Sequence, residues 1–147
     1  MKKYSDLYEK DFYAWTFKNA ELLRLKKFDE LDIENIAEEI ESMGRSEKRQ
    51  LLNRLSLLLA HLLKWQFQSS MRTNTWKLTI KEQRRQLNKL LKENPSLKSK
   101  IERNLKEAYE SAIIMASRET GIIEEDFITP CPYSLKDCLD VNYFFEN

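Results

Sequence analysis

The sequence predicts an all-α fold, an antiparallel up-and-down bundle of four to five main helices with a short C-terminal helix. Three observations carry that reading. Gly (2) and Pro (3) are scarce in 147 residues, and these two residues punctuate chains, so helices should be long and turns few. Leu, Lys and Glu dominate while β-branched residues are thin, and the dominant three are good helix formers. Apolar residues recur at three-to-four spacing over long windows. A length of 147 residues suits one domain spanning 1–147. It also suffices to bury a core without disulfide or metal staples.

The periodicity assigns the elements in order. A first helix runs from about Asp6 to Lys27, with Phe12, Trp15, Asn19, Leu22 and Leu23 on one face and Tyr8, Tyr13 and Phe17 widening it. Arg24, Lys26 and Lys27 sit where a helix end favours cations. A second helix starts at Asp32 as N-cap. Ile33, Ile36, Ala37, Ile40 and Met43 line one of its faces, and Gly44 ends or kinks it. A third helix spans about Ser46 to Gln68. Its leucines from Leu51 to Leu63, with Trp65, cover roughly 160° at ~100° per residue, which suits the middle of a bundle. A fourth runs from about Asn74 to Glu93. Asn94 then caps a fifth, with Pro95 at its first position. Leu97, Ile101, Leu105, Ala108, Ala112 and Met115 form its inward stripe, and Gly121 closes it. A short helix follows from Ser134, with Asp137 completing a box-like cap.

Several chemistries are excluded or disfavoured. Phosphate-cradling loops need clustered glycines, and Gly44 and Gly121 stand alone. A serine triad would have to use His61, the only histidine, and no strand-turn-helix elbow exposes a serine. Di-iron bundles use Glu-x-x-His pairs, but Leu58 stands three residues before His61 and no second histidine exists. Glu38, Glu39 and Glu41 read as a solvated face. We therefore expect no metal, no cofactor and no catalytic residue, and the chain leans away from being an enzyme. The start, Met1-Lys2-Lys3-Tyr4-Ser5-Asp6, leads into no apolar signal region. The longest near-apolar run, Leu55 to Leu63, is far short of a membrane span. A cytoplasmic chain with Cys131 and Cys138 as free thiols is the expectation.

Several strings also form a joint pattern. These are Asp11-Phe12-Tyr13-Ala14-Trp15-Thr16, then Glu34 through Ser46, then His61-Leu62-Leu63-Lys64-Trp65-Gln66, then Trp76 through Arg85, and finally Cys131-Pro132-Tyr133. Over nearly its whole length the chain resembles the bacterial, notably cyanobacterial, domain of unknown function family 29. The resemblance implies an all-helical bundle. It implies no activity and supplies no catalytic residue.

The charge layout singles out one surface. Residues 1–44 hold 7 Lys/Arg against 11 Asp/Glu, residues 45–71 hold 5 against 1, residues 72–106 hold 11 against 3, and residues 107–147 hold 2 against 9. A near-neutral total of +1 thus hides a basic middle between acidic ends. On the fourth helix, Lys81, Arg85, Lys89 and Lys92 lie opposite an inward arc of Trp76, Ile80, Gln83, Leu87, Leu90 and Leu91. Lys77 and Arg84 flank that basic face. Such a surface needs neutralising, by acidic residues of the second helix or the tail, by an acidic protein, or by phosphates. Trp76 points inward, so no flat aromatic platform favours single-stranded nucleic acid. Two buried polar candidates remain. His61 is expected to bond a carboxylate or the backbone, and Gln83 must find partners inside the apolar stripe. The function expected is a small protein-interaction module, an adaptor, inhibitor or antitoxin-like chain, with a protein partner or a second copy. A weak nucleic-acid binder and a metal-dependent bundle enzyme are the alternatives.

Overall fold

The structure is a computed structural model and describes residues 5–144. The leader-free reading of residues 1–4 lies outside that range. The fold is all-α, and among the described residues there is no strand. The helices are α1 (Ser5–Lys10), α2 (Phe12–Arg24), α3 (Ile33–Phe67), α4 (Asn74–Glu93), α5 (Leu97–Arg103), α6 (Leu105–Thr120) and α7 (Leu135–Leu139). None of them is long and apolar enough to cross a membrane. The chain forms two compact units, Met1–Glu47 and Lys48–Asn147.

The first unit corrects the expected first helix. It breaks at Asp11, whose backbone leaves the helical region (φ −153) and whose carboxylate accepts from the Ala14 amide at 3.0 Å. The side chain competes with helix continuation and wins as an N-cap. The end of α2 is a Schellman turn. Lys26 adopts φ 58, and the Lys27 amide reaches back to the Leu22 carbonyl at 2.9 Å.

A polar network fixes the entry to α3. Trp15 Nε1 donates to Asp32 Oδ2 at 2.8 Å, Asn35 Nδ2 donates to the same oxygen at 2.8 Å, and the Asp32 amide donates to Asn19 Oδ1 at 3.0 Å. Trp15, Asn19, Leu22, Leu31 and Asp32 are all buried. Tyr8 donates to Glu39 and packs edge-on against Trp15 at 4.9 Å. Replacing Trp15 with Phe keeps the ring and removes the donor to a buried carboxylate. We expect this to cost the unit about 1–3 kcal/mol, visible as faster amide hydrogen exchange along α2. Unchanged exchange would show that the bond adds nothing.

The second correction is at Gly44. The expected second and third helices are one helix of 35 residues. Gly44 keeps an ordinary helical backbone, whereas Gly121 alone among the glycines has a positive φ, of 80. An interior glycine costs a helix only about 1 kcal/mol, too little to break good helix formers on both sides. Several residues expected to be core are also exposed here, among them Ile33, Ile40, Met43, Tyr13 and Phe17.

In the second unit the leucine stripe of α3 is the centre, as periodicity predicts. Leu55, Leu58, Leu59, Leu62 and Leu63 are fully buried. They share one core with Ile80 and Leu87 of α4, Ala108, Tyr109 and Ala112 of α6, and Leu135 and Cys138 of α7. The bounds of α4 are those expected, with Thr73 Oγ1 capping the Trp76 amide at 3.1 Å. Asn94 is the C-cap of α4 rather than the N-cap of the next helix. The expected fifth helix starts later and is interrupted at Asn104, giving α5 and α6. Gly121 closes α6, and Ser134 Oγ caps α7 by accepting from the Asp137 amide at 3.1 Å. Both cysteines are free thiols.

Candidate binding groove

The side chains of the basic helix and of the C-terminal segment enclose a groove of about 710 Å³. Lys77, Leu78, Lys81 and Arg85 of α4 line one wall, and Val141, Asn142 and Phe144 line the other. The wall beyond α7 stays in place through two contacts from α4. Asn88 Nδ2 donates to the Leu139 carbonyl at 3.3 Å, and Arg84 makes the second.

Arg84 was expected at the surface and is fully buried. Its Nε donates to the Cys138 carbonyl at 2.8 Å, and its Nη2 donates to the carbonyls of Tyr143 at 2.5 Å and Asp137 at 3.4 Å. The guanidinium carbon also lies 5.4 Å from the centre of the Phe144 ring. A planar fork with five donors suits this clasp, and a cation near the last carbonyls of a helix is favoured. Burial pushes its pKa down, against the nearby Cys138 and Asp140. Its Nη1 is buried and has no hydrogen-bond partner among the described residues. The helical wheel put Arg84 on a flank of the basic face, and the folded-back tail buries it instead.

The remaining cations differ in how far they are satisfied. Arg85 bonds Glu82 through Nε at 3.0 Å and Nη2 at 2.8 Å. Donation by Arg85 and Gln86 holds the Glu82 carboxyl at about 2. The Arg85 charge is therefore matched locally. Among the described residues, Lys77 and Lys81 have no acidic partner. Lys89 and Lys92 are exposed on α4 but do not line the groove. The tail does fold back on α4, and among the described residues it offers backbone carbonyls to Arg84 and no carboxylate to the two lysines.

The two buried polar candidates lie elsewhere. His61 is half-buried with its Nδ1 3.0 Å from the Leu57 carbonyl. Burial pushes its pKa below 6.5, opposed by that carbonyl and helped by Lys64. Gln83 is half-buried and accepts from Arg54 Nη1 at 3.2 Å. Among the described residues, no group of three His, Cys, Asp or Glu side chains converges as a metal site.

Two features escaped the sequence reading. Lys64, buried on α3, bonds Glu119 at 2.7 Å and lies over the Trp76 ring at 4.7 Å. It stands between Leu63 and Trp65 in the sequence, but at ~100° per residue it falls opposite the leucine stripe, so periodicity gave no signal for it. The second wall of the groove, from Val141 to Phe144, was missed. Its apolar side chains after a capped short helix were the clue.

The family model described as "Domain of unknown function DUF29" matches residues 7–144. The chain belongs to the DUF29 family. No curated protein and no solved structure matches it. The DUF29 match includes both walls of the groove and the Arg84 clasp.

Proposed function

We propose that this DUF29 chain is a protein-interaction module, acting in the cytoplasm, whose α4 groove takes an acidic, apolar segment of a partner protein. One observation carries the reading. The groove sets two lysines that have no acidic partner among the described residues, Lys77 and Lys81, beside exposed apolar side chains, Leu78 at 53% and Val141 at 61% exposure. Apolar surface supplies affinity, and unmatched charge selects the partner and its orientation. A duplex or single strand is served less well. Nucleic-acid sites rely on rows of cations tracking phosphates, with exposed rings for stacking. Here Arg85 is occupied by Glu82, and Trp76 is half-buried beneath Lys64.

A displayed peptide library panned against the full chain tests this. Peptides joining acidic to apolar residues should enrich on the wild type. They should not be recovered on the double variant Lys77→Glu, Lys81→Glu. Both side chains are exposed, so the variant is expected to fold. Identical selections on both proteins would overturn the reading.

A further inference from the structure

The first half of α3 presents an apolar face that nothing among the described residues covers. Ile33 is 55% exposed, Ile40 61% and Met43 66%, and Ala37 and Gly44 beside them are exposed too. At ~100° per residue these five occupy an arc of roughly 120°. Nine of the sixteen large hydrophobics exposed among the described residues belong to the unit that ends at Glu47. Such concentration marks an association surface.

Gly44 is unusual in this setting. Glycine weakens a helix interior relative to alanine. No neighbour within the chain requires it, since a Cβ there would meet nothing within 4 Å. A second helix crossing closely at this point would.

The charges beside the face identify that second helix. On the same ~100° wheel, Glu34, Glu38, Glu41 and Arg45 share one flank, and Glu39 lies on the other. Within the chain Arg45 bridges Glu38 at 2.6 Å and Glu41 at 3.7 Å, at positions more than half exposed. In an antiparallel helix pair, each flank meets the same flank of its partner in reversed order. Arg45 then meets the partner's Glu34 and Glu38, and the reverse contact follows by symmetry. A parallel pair would instead set the Glu34–Glu38 flank against Glu39, acid facing acid.

We propose that two copies of this chain associate through α3, antiparallel, with the Ile33–Ile40–Met43 face as the seam. A seam of about three turns is near the lower limit for a specific interface, so the dimer forms reversibly with rising concentration. The α4 groove has no part in it.

Sedimentation velocity of the full chain over a concentration series is the test. Wild type should pass from monomer to dimer. Ile40→Glu should remain monomeric at every concentration with an unchanged thermal melt, because Ile40 is 61% exposed. The variant Glu34→Lys, Glu38→Lys should be monomeric alone, and so should Arg45→Glu. An equimolar mixture of the two should dimerise, because each then meets its opposite charge. Lys77→Glu, Lys81→Glu should dimerise like wild type. A wild type monomeric throughout, an Ile40→Glu dimer, or a mixture that stays monomeric would each overturn the proposal, and none of them bears on the groove.

Discussion

Leu58→Ala and Leu62→Ala are each expected to destabilise the chain by about 2–5 kcal/mol. Both leucines are fully buried in the middle of α3 and share a core with Ile80, Leu87 and Ala112. Truncation removes the transfer free energy of three carbons. It also leaves a cavity that helices on several sides cannot easily close, since each is held by its own neighbours. The size of the loss depends on that collapse, so the two sites need not agree. The measurement is urea unfolding of the unit's helicity. The midpoint should fall with little change in slope, because the surface exposed on unfolding is nearly the same. Losses of a few tenths of a kcal/mol at both sites would mean that the stripe is not the core.

Arg84→Met should have the next largest effect, about 2–4 kcal/mol. Methionine keeps an unbranched stem and removes every donor. The carbonyls of Cys138, Asp137 and Tyr143 then lose the guanidinium that holds them. Bonds to a charged donor are the stronger class, and a buried acceptor left without a partner carries its full desolvation penalty. The loss should be local as well as global, so limited proteolysis should cut the chain after α7 sooner than in wild type. Arg84→Lys should fall between, because an ammonium cannot reproduce a planar fork reaching three carbonyls. Unchanged stability together with unchanged proteolysis would mean that the clasp is dispensable.

Periodicity was most informative where one face is buried along a whole helix. The α3 leucines and the bounds of α4 followed directly, since packing there repeats every three or four residues. It was least informative where a single side chain decides. Asp11 breaks a helix by capping it, Asn94 ends one helix rather than starting another, and Gly44 is carried through by its neighbours. The faces of α2 and early α3 read as core because apolar spacing does not reveal whether a partner element is present.

The same limit governs the groove. The charge count located α4, and the wheel placed Lys77, Lys81 and Arg85 correctly at the surface. Arg84 lies at the edge of the inward arc. Its burial depends on the Cys138–Phe144 segment, which is more than 50 residues further along the chain. A contact of that separation leaves no local trace in either stretch of sequence. Lys64 is similar, since its carboxylate partner Glu119 lies 55 residues away.

The α4 groove is expected to bind protein rather than nucleic acid. Fluorescence anisotropy decides it with two labelled probes at physiological salt, an acidic, apolar peptide recovered by the panning and a duplex DNA of mixed sequence. The peptide should bind wild type saturably. It should bind at least about tenfold more weakly to Lys77→Glu, Lys81→Glu, and the duplex should bind neither protein saturably. Tight duplex binding to wild type, abolished in the variant, with the peptide indifferent to the substitutions, would contradict it.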